Sequence, residues 1–337
     1  MRTETIELEY QNYIQNPPIS TDQMMQQACS NDVTTVNHWR EKWIANIKKN
    51  HASHGPFHER SIGSIFGELD GKSCVIAGSG PSLGYNGDLL KDRGNICLVS
   101  CLHNFHFFED RGIKVDYYVT LDAGDITAEE VSEGGSKSEE EYWELTRDRT
   151  LLAWIGASPL LLSKWRGEIL FFNAPVPDEK VIEESDKLEV FNIFVANGGN
   201  VLGACFYIAK AFLGAFTVAF VGADFCFSYQ KKFHAWNSKY DKTLGNVIRM
   251  VDVFGNKVFT WQSYANFKAW FENKSITVPG IYINCTEGGT FGAYYDGNIM
   301  SVKQMTLKEF INMHVNYRRE MRACCENPKI DEKKIFF

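Results

Sequence analysis

From Ser73 onward the chain alternates short β-branched runs with helical stretches, and that alternation restricts what it can fold into. The candidate strands are Cys74–Ala77, Ile96–Ser100, Tyr117–Leu121, Leu151–Ile155, Ile169–Phe172, Thr217–Val221 and Tyr282–Asn284. Strands separated by helix-length segments pair in parallel, because a crossover is needed to bring the chain back to the same end of the sheet. Runs that are apolar throughout belong to a sheet covered on both faces. The expected fold is α/β: a Rossmann-like, mostly parallel sheet flanked by helices, with helical N- and C-terminal additions. Residues 1–66 lack strand patterns and carry Trp39, Trp43, Ile44 and Ile47 at helical spacing, which predicts an accessory amphipathic helix. Residues 67–300 hold the sheet. From 301 to 337 the sequence predicts a helix through Met305, Leu307, Phe310, Ile311, Met313 and Val315, with Arg318, Arg319 and Arg322 in its later turns, and then a tail.

Bulk properties narrow the function classes. At 337 residues, 44% of them hydrophobic and 14% aromatic, the chain has the means to build a large core, which excludes a disordered polymer. A formal net charge of -7 argues against general nucleic-acid binding, which needs a basic face. The start, Met1 to Glu7, carries no apolar signal region, and no run approaches the roughly 18 apolar residues of a membrane span, so cytoplasmic residence without a membrane span is the expectation. Nine cysteines are spread through the chain, several inside apolar runs, as with Cys74, Cys97, Cys101 and Cys205; they read as reduced core thiols. No CxxC pair exists, and His51, His54 and His58 read as a polar linker interrupted by Gly55-Pro56. The acidic stretch from Asp125 to Asp148 reads as a helix-bearing, solvated excursion.

The chemistry-bearing residues cluster at predicted strand ends, where doubly wound sheets place their ligands. After the first strand comes Gly78-Ser79-Gly80-Pro81-Ser82: glycines let a backbone approach a phosphate, and Pro81 suits the first turn of a helix whose N-terminus favours an anion. The alternative for this segment is an ordinary βα turn. The nearby Gly67-Glu-Leu-Asp-Gly71-Lys72-Ser73 is one residue short of a P-loop and precedes its strand. After the second strand, Asn104 offers hydrogen bonds to a phosphate or a base; after the third, Asp122 suits a ribose hydroxyl or a magnesium ion, and Asp125 a helix cap. Gly198, Gly199 and Asn200 precede a small-residue helix and offer a second anion site. Asp224 ends another strand, and Lys231-Lys232-Phe233-His234 follows. His234 is the histidine best placed to act as general acid or base. Thr286 and Glu287, before Gly288-Gly289, offer a ligand hydroxyl contact or a plain turn.

Taken together, GSGPSL, VGADF, FHAW, FGNKVFT and NCTEGGTFG resemble, in that order, the motility-accessory-factor glycosyltransferase family over about residues 67–300. The group is also similar to 6-hydroxymethylpterin diphosphokinase-like domains and, more distantly, to bacterial CMP-sialic-acid-dependent sialyltransferases. The resemblance implies a nucleotide-binding transferase domain in which Gly78 to Ser82 cradle the donor phosphate, Asn104 contacts the leaving phosphate and Gly198 to Asn200 hold the donor sugar's carboxylate. Cys226 stands where those sialyltransferases have a phosphate-stabilising tyrosine, for which Tyr229 is the candidate substitute, and no histidine occurs between His234 and His314. Three functions follow as expectations. The leading one is transfer of a nonulosonic-acid-type sugar from a CMP-activated donor to an acceptor hydroxyl, with Asp224, Tyr229 and His234 as catalytic candidates and no required cofactor. The second is Mg2+-dependent diphosphate transfer from ATP, with Asp122, Asp125 and Asp224 as metal ligands. The third is a non-catalytic nucleotide-binding or assembly module.

Overall fold

The computed structural model describes residues 21–188, 193–228, 232–238, 247–294 and 296–314, with side chains from residue 33 on. Its strands are β1 (Ser73–Ala77), β2 (Cys97–Cys101), β3 (Tyr117–Thr120), β4 (Thr150–Trp154), β5 (Glu168–Phe172), β6 (Thr217–Val221), β7 (Ile248–Val251), β8 (Lys257–Thr260), β9 (Ile281–Asn284), β10 (Ala293–Tyr294), β11 (Gly297–Asn298) and β12 (Val302–Gln304). The helices are α1 (Thr21–His54), α2 (Leu83–Asn86), α3 (Phe105–Arg111), α4 (Ile126–Glu130), α5 (Glu139–Leu145), α6 (Pro159–Lys164), α7 (Glu179–Lys187), α8 (Val201–Tyr207) and α9 (Gln262–Thr277).

Eight strands form the main sheet in the order β12-β9-β6-β1-β2-β3-β4-β5, and every neighbouring pair is parallel. The chain builds outward from β1 in one direction as far as β5 and then crosses to β6 on the other side of β1. The β1/β6 boundary is therefore the topological switch point, where the loops leaving the two strands diverge and open a crevice. β7 and β8 form a separate antiparallel hairpin. Because β12 pairs with β9, the sheet continues past residue 300 and the C-terminal addition expected from 301 begins inside it.

The expected alternation is explained by burial on both faces: β2 is buried along its whole length, and β1, β4, β5 and β6 at all but their first residue. On one face Phe206, Phe220, Phe271 and Phe291 pack together; on the other, Phe105, Tyr118 and Trp165 do so. Helix α8 comes close to neighbouring backbone because its small residues allow it: a side chain at Gly203 would collide with the Asn197 carbonyl. Cys74, Cys97, Cys101, Cys205, Cys226 and Cys285 are buried and unpaired thiols.

Helix α1 is bound more closely than an accessory segment requires. Asn46 and Asn50, one turn apart, share a face. Asn46 Nδ2 donates to the carbonyls of Ala123 (3.0 Å) and Gly156 (3.1 Å), and Asn50 Nδ2 to those of Ile155 (2.9 Å) and Ala157 (2.9 Å). These buried amides satisfy the loops leaving β3 and β4. Arg40 pairs with Asp178 (2.6 Å) and Lys48 with Glu184 (2.6 Å), fastening α1 to the region of α7. The acidic excursion is likewise packed and not simply solvated: Ser138 and Glu141 form a capping box on α5, Tyr142 and Trp143 are buried, and Tyr142 Oη donates to Asp110 Oδ1 (2.6 Å). A helix opens at 307 behind a Thr306–Glu309 capping pair, and Val315, Arg318, Arg319 and Arg322 lie outside the described residues. Among the described residues no helix is long and apolar enough to cross a membrane.

Candidate active site

Three cavities line the carboxyl ends of the strands and share their walls. The central one, about 260 Å³, lies at the switch point and is lined by Gly78, Ser79 and Gly80 after β1, His103 after β2, Asp122 after β3, Asn200 before α8, Asp224 after β6, and His234. Asp224 and Cys226 also line a chamber of about 580 Å³ formed with the β7–β8 hairpin and Thr286–Gly289. On the other side, Asp122 and Glu130 also line a lateral chamber of about 630 Å³ between α1 and the loops after β3, β4 and β5.

The turn after β1 owes its shape to the loop after β6. Gly78 N donates to Val221 O and Gly80 N to Gly222 O, each at 2.9 Å. Ser82 N and Oγ donate to the Asp224 carboxylate, the hydroxyl at 2.7 Å. The anion expected at this turn is thus supplied by the chain itself. The glycines are explained by the same approach: a Cβ on Gly78 would lie 2.5 Å from the Gly222 carbonyl oxygen, and one on Gly80 would collide with Asp224 Oδ2. Burial raises the Asp224 carboxyl to about 6, against the opposing effect of the Ser82 hydrogen bonds. Thr290 N donates to Asp224 O (2.8 Å), and Gly289 packs on the Asp224 backbone, so the NCTEGGT element closes over the same loop. Phe225 (φ 51) and Glu287 (φ 57) are the non-glycine residues in left-handed backbone among those described, and both flank this junction.

Asn104, expected at the leaving phosphate, is fully buried beneath the chamber. Its Nδ2 is shared among Ala77 O (3.2 Å), Gly78 O (3.1 Å) and Ser100 Oγ (3.0 Å), tying the end of β2 to the end of β1. Asn104→Ala would remove those three hydrogen bonds from the core, and an unfolding free energy lower by about 2–3 kcal/mol is the expected result in urea titration. An unchanged midpoint would show that the tie carries no load.

Other predicted residues are also placed. Asn200 caps α8, its Oδ1 accepting from Gly203 N (2.9 Å); Gly198 and Gly199 adopt positive φ and pack against Trp270 and Phe267. Thr286 Oγ1 is held by its own loop through Asn284 and Gly288, while Glu287 Oε1 accepts from Asn86 Nδ2 (3.2 Å) and Leu307 N (3.1 Å). Pro81 lines the hairpin-side chamber. Asp125 bonds Ser158 Oγ (2.8 Å) and Lys42 Nζ (3.2 Å) and does not line the central chamber. Among the described residues no three His, Cys, Asp or Glu side chains gather as a metal site, so Asp122, Asp125 and Asp224 do not form the expected magnesium set. Tyr229 and Lys231 lie outside the described residues, and Lys232 Nζ donates to Asn237 Oδ1 (2.5 Å).

The structure adds a histidine that sequence reasoning passed over. His103 lies edge-on to His234, ring centroids 4.7 Å apart, with Trp236 stacked on His234 at 5.3 Å. Burial, and then the neighbouring His234, lower His103 to about 4, overcoming the opposing pull of Glu133. His103 is accordingly neutral at physiological pH. Its signal in the sequence was its place one residue before Asn104 at a strand end.

A family model described as 6-hydroxymethylpterin diphosphokinase MptE-like matches residues 41–230, more than half of the chain. No curated protein matches. Among solved structures, a MAf glycosyltransferase from Magnetospirillum magneticum AMB-1 superimposes with a TM-score of 0.51 at 16% identity, over 80% of this chain and 42% of that one. At that identity the likeness is one of fold, and this chain spans less than half the length of that protein.

Proposed function

We propose that this chain, which belongs to the 6-hydroxymethylpterin diphosphokinase MptE-like family, is a nucleotide-dependent transferase that moves a nonulosonic-acid-type sugar from a CMP-activated donor to an acceptor hydroxyl. The observation that carries this reading is the charge of the central chamber. Asp122 and Asp224 line it, and among the described residues no lysine or arginine does. A triphosphate there would set several negative charges against carboxylates without a compensating cation, at a cost that grows with each charge. A CMP-activated nonulosonic acid brings two negative charges, the phosphodiester and the sugar carboxylate, fewer than a triphosphate, and the protein carboxyls suit its hydroxyls. In the reaction the bond from the anomeric carbon to the phosphate oxygen breaks and CMP departs with that electron pair. The acceptor oxygen bonds to the anomeric carbon, and its proton passes to His234 or to a carboxylate.

Diphosphate transfer from ATP to a hydroxymethyl group is the second reading, favoured by the family description itself. It would require magnesium held by fewer protein carboxylates than the three considered, since those do not converge. A thermal-shift panel of CMP, CTP, UDP and ATP, each with and without magnesium, separates the two. A nucleotide at 100 times its Kd stabilises by about 2.7 kcal/mol. We expect stabilisation by CMP and CTP without metal. Stabilisation by ATP only with magnesium would transfer the conclusion to the second reading, and silence toward every nucleotide would leave a non-catalytic assembly module.

A further inference from the structure

The lateral chamber, about 630 Å³, is the largest of the three, and the nucleotide reading makes no use of it. Trp39 and Trp43 from α1 and Trp154 at the end of β4 line it, together with Pro175 and Pro177. Two polar groups in its walls lack partners. Trp154 is 4% exposed and its indole N–H has no acceptor, although buried indoles ordinarily find one. Asp122 presents an exposed carboxylate, with no protein partner among the described residues, to both this chamber and the central one.

A buried donor without an acceptor and an open carboxylate, in a wall that holds three indole rings, describe a ligand chemistry. A hydroxyl accepts from an N–H and donates to a carboxylate, and a polyol ring presents apolar C–H faces to aromatic surfaces. An organic cation, the other ligand suited to aromatic and acidic walls, has no use for the indole donor of Trp154. We propose that the lateral chamber binds a neutral saccharide, with its apolar face on Trp39 or Trp43 and a hydroxyl at Asp122, where this chamber meets the central one. That the saccharide is the acceptor rests on the glycosyl-transfer reading; that it binds does not.

The test is calorimetric titration of the full chain with methyl glycosides of the common hexoses and N-acetylhexosamines, with choline chloride and with CMP. At least one glycoside should bind. Trp154→Phe, which keeps a ring and removes the donor, should weaken it about tenfold, the loss of one hydrogen bond. Trp39→Ala, at a half-buried helix position, should weaken it further, and both variants should leave CMP affinity within about twofold. The proposal is overturned if no glycoside binds, if choline alone binds, if Trp154→Phe leaves glycoside affinity unchanged, or if Trp39→Ala weakens CMP as much as the glycoside. CMP binding without glycoside binding sinks this inference alone. Glycoside binding without CMP binding sinks the donor assignment and keeps the saccharide site.

Discussion

Gly80→Ala should lower the free energy of unfolding by about 3 kcal/mol or more, a larger loss than surface or loop substitutions produce. The new Cβ would meet Asp224 Oδ2 and stand 2.7 Å from the Gly222 carbonyl oxygen. That carbonyl cannot retreat without breaking its bond from Gly80 N (2.9 Å). The carboxylate can swing away only by abandoning Ser82 N and Oγ, and hydrogen bonds to a charged group contribute about 1.5–3 kcal/mol each. Gly288→Ala is the control: its Cβ would meet nothing within 4 Å, and its expected effect is within about 0.5 kcal/mol. Urea unfolding of the two variants decides the matter, and equal losses would refute the loop-packing account.

Asp224 also leaves a signature in pH. Its folded value of about 6 lies above the roughly 3.9 of an unfolded aspartate, so between those values the native state holds the extra proton and this group makes stability fall as pH rises. His103 and His106 act in the opposite sense: burial holds each at about 4, below the roughly 6.5 of an unfolded histidine, so their contribution is present above that range and lost on acidification. Asp224→Asn removes the opposing slope, and stability should then climb more steeply from pH 4 to pH 6 than it does in the wild type.

Much of this architecture was legible because buried parallel strands write themselves as continuous apolar runs; the seven predicted strands match β1 to β6 and β9 within a residue or two. β12, Val-Lys-Gln, is too short to carry a pattern, and β7 is half-exposed in a hairpin away from the main sheet. The chemistry-bearing residues could be located at strand ends, but not oriented. Asp224 turns inward because the loops after β1 and β6, about 140 residues apart in sequence, press against each other, and Asn104 because its amide reaches the carbonyls at the end of β1. No local pattern encodes that contact. Asn46 and Asn50 were invisible for a related reason: polar positions on a helix read as solvated, whereas here they satisfy buried loop carbonyls.

The second large effect concerns turnover. His234 is 8% exposed, lines the central chamber and is held between the His103 edge and the Trp236 face, so its ring is fixed in the chamber wall. A positioned general base contributes about 10²–10⁴ in rate, and His234→Ala should lower kcat by that factor with CMP affinity within about twofold of wild type. His103 near 4 stays uncharged across the working range and places no cation beside the base. Turnover within about threefold of wild type would remove His234 from the reaction, since general-base losses are far larger. If Asp122→Asn then showed the missing 10²-fold, proton removal would belong to the carboxylate that divides the central chamber from the lateral one.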